Sequence, residues 1–135
     1  MAERRDLIIG TDRKIAVYAI KKSTRKPIDL SLFDGYGVIM YYDLDKTVIA
    51  KYSVNEVAGW NSDDIDVTDE ASGKIIINFQ RALSITGRAE KAVYGQIVAQ
   101  YTDPDFEGTQ FRDIVDPFYM FHFKRGGITD TVDMG

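Results

Sequence analysis

Apolar residues in this chain recur at every second position rather than every third or fourth. In KIIINFQ, Ile75, Ile77 and Phe79 fall on one face, and Lys74, Asn78 and Gln80 fall on the other. TVIAKYSV sets Val48, Ala50, Tyr52 and Val54 against Thr47, Lys51 and Ser53. AVYGQIVAQYTD sets Val93, Ile97, Ala99 and Tyr101 against Gln96 and Gln100. A period of two marks half-buried strands, because successive side chains of an extended backbone point to opposite faces. Between these runs lie KSTRKP, DLDK, GWNSDD, DEASGK, TGRAEK and DPDFEG. Their Gly, Asp, Asn, Ser and Pro residues tolerate turn dihedrals or bond to the local backbone. The pattern predicts strands near 14–22, 36–43, 46–54, 64–68, 73–80, 91–102 and 110–124. It also predicts a short helical turn over 81–87, closed by Gly87. Seven short strands without a long helix predict an all-β, antiparallel sandwich or barrel. With no internal repeat or linker, the chain reads as one domain over 10–124, an N-terminal arm over 1–9 and a C-terminal tail over 125–135.

Two stretches, IAVYAIKK and FYMFHF, are apolar on both faces. Such a strand is expected to be central in a sheet or covered by another chain. In the second, alternation places Tyr119, Phe121 and Phe123 on one face and Phe118, Met120 and His122 on the other. The default cover for the second set is the same chain; the alternative is a partner.

Composition narrows the classes of function. Apolar residues make up 44% of the 135 and charged residues 28%, the balance of an ordinary globular domain. The 8 Tyr and 7 Phe favour pleated, half-buried surfaces. Cysteine is absent, which excludes disulfides, thiolate metal sites and a cysteine nucleophile. A net charge of −4 argues against general nucleic-acid binding. No apolar run approaches the roughly 20 residues of a membrane-spanning helix, and MAERRDLIIG does not read as a secretory signal. The protein is expected to be made in the cytoplasm and kept there or assembled into something larger.

Candidate chemistry is sparse. His122, the one histidine, sits inside a predicted strand and reads as structural. The acidic stretch NEVAGWNSDDIDVTDEASG carries Glu56, Asp63, Asp64, Asp66, Asp69 and Glu70. It fails the helix-loop-helix calcium pattern, because Asp69 stands where Gly is needed and Ile75 where Glu is needed. A looser calcium site is the alternative to a solvated loop. GYG at 35–37 starts no dinucleotide fingerprint, and no Walker loop, nucleophile elbow or HExxH occurs. Lys21, Lys22, Arg25 and Lys26 read as a solvated turn. Trp60, in AGWNS, either anchors an interface or plugs the end of a sandwich. No catalytic residues, cofactor or metal ligands are assigned, and the chain is not expected to be an enzyme.

The succession GTDRKIAVYAI, RKPIDLSLFDGYGVIMYYD, TVIAKYSV, DVTDEASGKIIINFQ, AVYGQIVAQYTDP and FYMFHF resembles the Ig-like N-terminal module of phage baseplate upper proteins. The resemblance covers roughly residues 10 to 123. It implies an Ig-like sandwich of about seven strands with at most one helical turn. It further implies a non-enzymatic virion subunit, in the tail, baseplate or neck or as a head-fibre adaptor. The expected partners are other virion proteins and further copies of the chain, as an oligomer or ring component, with neither nucleic acid nor membrane. In that setting Pro27 suits a crossover at a sheet edge, with Ile28 and Leu30 dropping between the sheets. Interface residues are then expected in the arm (Leu7, Ile8 and Ile9), at Trp60, and on the second face of the last strand (Phe118 and Met120). The tail KRGGITDTVDMG is expected to stay mobile until a neighbour orders it. The rival reading is a carbohydrate-binding or adhesin-like sandwich whose surface aromatics stack on sugar rings. A small hydrolase on a β scaffold is a third, for which the sequence offers no nucleophile.

Overall fold

A computed structural model describes residues 5–125. Along them run β1 (Asp6–Ile8), β2 (Arg13–Tyr18), β3 (Gly35–Tyr42), β4 (Val48–Ser53), β5 (Ile65–Asp69) and β6 (Lys74–Phe79). One turn of α-helix, α1 (Arg81–Ser84), leads to β7 (Ala92–Tyr101), β8 (Gln110–Asp113) and β9 (Phe118–Lys124), and two 3-10 turns, at Leu30–Leu32 and Glu70–Ser72, exceed the one helical turn expected. One sheet has the order β1-β9-β7-β3-β4, with β8 also on β7; the other has the order β2-β6-β5. The strand pairings are antiparallel except β1–β9, which is parallel. This is an all-β sandwich, and its strand order is that of Ig-like domains with an extra strand on the larger sheet. Among the described residues no helix is long and apolar enough to cross a membrane.

The core follows the alternation. Ile75, Ile77 and Phe79 of β6 are buried and face Val93, Ile97 and Ala99 of β7 across the gap, with Tyr36, Val38, Met40 and Tyr42 of β3 beside them. Phe79 packs its ring against Phe121 and Phe123, with centroids 5.9 and 6.1 Å apart. Such rings in contact add about 0.5–1.5 kcal/mol beyond the area they bury. The PIDL segment turns its apolar residues inward. Leu30 is fully buried, Ile28 partly, and Asp29 accepts the Ser31 amide at 3.0 Å. Gly73 closes the turn into β6 with φ at +71°, and a Cβ there would meet the Ala19 carbonyl at 2.5 Å. Only glycine fits both constraints.

The structure departs from the expectation in four further places. The predicted strand 110–124 is two strands, because Pro117 has no N–H for the ladder and pushes its predecessor out of line. Both halves still pair with β7. The register shifts between Met40 and Tyr41, so Val48 pairs with Tyr41 on the outer face and is exposed instead of joining Tyr52. Gly87 does not close the helical turn through a left-handed conformation. It lies against Phe123, whose ring a Cβ would meet at 2.5 Å. Finally, residues 6–8 are not a free arm: β1 is a strand of the larger sheet, with Leu7 3% exposed in the core. The expected tail, 125–135, lies outside the described residues except for Arg125.

Candidate interaction site

The residues expected at interfaces have different fates. Leu7 is spent on the protein's own core, and Ile8 pairs with Lys124. Ile9 packs partly buried against the core while its N–H donates to the Lys124 carbonyl at 3.0 Å. The arm is therefore corrected: three apolar residues next to an open β9 edge gain more by pairing there than by waiting for a partner.

Trp60 sits in the β4–β5 loop, held because Asn61 donates to the Lys51 carbonyl and accepts from the Ser53 amide. Its ring stacks on Phe111 of β8, centroids 4.9 Å apart and 16° from parallel, and closes over Gly37 of β3. The Lys51 ammonium is 5.3 Å from its centroid. Beneath this lid lie buried Val98 and a buried polar pair, in which Gln100 Nε2 donates to Ser53 Oγ at 2.7 Å. Trp60 is thus a half-buried lid on the outer face of the larger sheet.

The last strand does not keep the simple alternation. Tyr94 pairs with Tyr119 and Val93 with Phe121, so Met120 is an extra residue opposite no partner. This bulge moves Tyr119 to the outer face, where its hydroxyl accepts the Arg5 amide at 2.8 Å and lies 2.7 Å from His122 Nδ1. Tyr119 shares that face with Tyr94, ring to ring at 5.9 Å. Phe121 and Phe123 turn inward, and Met120 is buried within its own chain, so its place at an interface is corrected. Met120 and Phe118 both cover Gly95, where a Cβ would meet them at 2.7 and 2.9 Å.

Phe118 remains partly open, and it marks the site. With Ile114 and Val115 it forms one wall of a groove of about 660 Å³ whose opposite wall is Tyr18, Ile20 and Ile28. Tyr18 is 50% exposed and Ile20 46%. Lys21 and Lys22 rim one side and Asp113 and Asp116 the other, with Lys22 Nζ 3.9 Å from Asp116. That ion pair is exposed on both sides and contributes little. The groove opens along β2, which is an edge strand among the described residues, so of the two expectations for its apolar faces the central position is corrected. Tyr18 and Ile20 were legible as apolar but not as exposed.

The acidic stretch spreads its carboxylates over separate partners. Asp64 accepts from Asn61 Nδ2 and Gln80 Nε2, while Glu70 accepts the Tyr36 hydroxyl at 2.6 Å. Among the described residues no group of three or more His, Asp or Glu side chains gathers to hold a metal. Burial, with the Glu70 carboxylate beside it, holds the Tyr36 phenol far above its ordinary value. Burial, then the charge of Asp64, does the same to Tyr52. These are buttresses, since Tyr36 spans the sandwich to reach the turn before β6. Compared with protein-family models and with curated proteins, the chain has no match.

Proposed function

We propose that this protein is a non-enzymatic structural subunit of a bacteriophage particle, placed in the tail, baseplate or neck or as a head-fibre adaptor, and joined to its neighbours through sheet edges. The observation that carries the reading is the flank of the smaller sheet that stands open among the described residues, where edge strand β2, paired on one side with β6, runs into an apolar groove. Edge backbone and exposed Tyr18 and Ile20 together offer a neighbour hydrogen bonds and burial in one place. The Ig-like strand order agrees with the family that the sequence resembles. Peptide mass mapping of purified particles, followed by antibody labelling of intact ones, tests the role. The protein is expected in stoichiometric amounts at one substructure, and its absence from particles overturns the reading.

The stacked Trp60–Phe111 pair favours a second reading, a carbohydrate-binding sandwich, because a partly open ring pair offers a flat apolar platform. Titration of glycans against Trp60 fluorescence separates the two. Saturable quenching supports the lectin, and an unchanged spectrum leaves the structural subunit.

A further inference from the structure

The open flank of β2 specifies what it can take. Ala19 donates its amide to Gly73 and accepts the Ile28 amide, both at 2.8 Å, so its backbone groups face the β6 side of the strand. Backbone groups of an extended strand alternate sides, which turns those of Lys14, Ala16 and Tyr18 toward the open flank. Among the described strands β2 pairs with β6 alone. Arg13 and Lys14 stand at one end of this edge and Lys21 and Lys22 at the other, all exposed in a chain of net charge −4. The edge therefore suits an extended segment with apolar residues at alternate positions, acidic side chains and no cations.

GGITDTVDMG, residues 126–135, has that composition. After two glycines, Ile128, Val132 and Met134 share one face of an extended chain with Asp130, while Asp133 falls on the other. No Lys or Arg occurs. Its seven residues 128–134 span about 23 Å when extended, as do residues 14–20 of the receiving edge. We propose that residues 128–134 of a second copy add as a strand to the β2 edge and set their apolar side chains against Tyr18, Ile20 and the groove.

A second copy is required by the connections at one end of the sandwich. β1 lies outside β9, and an added strand would lie outside β2. A chain passing from β9 to that outer position would cross its own β1–β2 connection, residues 9–12, which lies beside Lys124. Connections in folded domains avoid such crossings. A neighbour's segment arrives without one, and the arrangement forms chains or rings from one repeated contact. The proposal names the contact through which the assembly reading operates and rests on that reading.

Because the chain contains no cysteine, engineered thiols report alone. Full-length protein carrying Ile20→Cys and one tag is mixed with full-length protein carrying Val132→Cys and another, and a short-reach thiol crosslinker is added. The expected product joins the two tags. It falls about tenfold when Ala16→Pro removes an outward N–H, and about tenfold when Met134→Asp charges the segment without touching the sandwich. Thermal melts accompany both variants; should Ala16→Pro prove unfolded, Met134→Asp decides. No product joining the two tags, or a yield unchanged by Met134→Asp, overturns the proposal. Particle content is read separately. A crosslink in a protein absent from virions removes the particle role and keeps the contact, whereas a virion protein without the crosslink does the reverse.

Discussion

β2 and β9 both carry apolar residues on each face, yet among the described residues β9 has a strand on either edge and β2 has one. In β9 the bulge at Met120 sorts the side chains, sending Phe118, Phe121 and Phe123 toward the core and leaving Tyr119 and His122 bonded to each other outside. In β2 no bulge intervenes. Val17 points in and is buried, Ile15 packs partly buried against the same core, and Tyr18 stays half exposed. Excess apolar surface on a strand thus has two outcomes, cover from its own chain or an open flank. What separates them is whether neighbours in the sheet are available.

Substitutions at equivalent aromatics widen that contrast most. Phe123→Ala removes a fully buried ring that touches Tyr42, Phe79 and Phe121, and should cost about 4 kcal/mol in chemical denaturation. Tyr18→Ala should leave stability within about 0.5 kcal/mol, because its ring is half in water already. Equal losses at both positions would show that the β2 flank is covered in the isolated protein.

A smaller effect probes the link between the sheets. Tyr36→Phe strips the hydroxyl from the Glu70 carboxylate and should cost about 1.5 kcal/mol. The same pair sets the alkaline limit. Because the folded phenols of Tyr36 and Tyr52 titrate above their unfolded value, the native state holds the extra protons. Their contribution is complete below about pH 10 and is lost as pH rises beyond it toward the folded values. Melting temperature should fall above that point, and less steeply in Tyr36→Phe; identical slopes would contradict the assignment.

The smallest effect lies at the far end of the sandwich. The Thr47 amide, followed by the Arg88 guanidinium at 2.9 Å, holds the Asp45 carboxyl down at about 2. This support is present above the ordinary carboxylate value near 4 and is lost as pH falls toward 2. Asp45→Asn should therefore flatten the acid limb slightly and leave neutral stability almost unchanged. A large loss at pH 7 would mean that the loop does more than cap β3 and β4.

Alternation alone placed Ile75, Ile77, Phe79, Val93 and Ile97 in the core, because an extended backbone admits only two faces and water excludes apolar groups from one. Turn chemistry likewise separated the strands, and the resulting string of short elements determined an all-β fold, with sandwich and barrel both open. Tertiary structure decided the rest. Whether Leu7 reached outward or closed a sheet depended on β9 having a free edge more than a hundred residues away. The facing of Tyr119 and Val48 depended on bulges created by pairing, which shift every later side chain by one. Trp60 found its seat only because Gly37 and Phe111 meet beside it. Each of these is a contact between distant segments, and local preferences carry no information about which edge remains open once all the strands have paired.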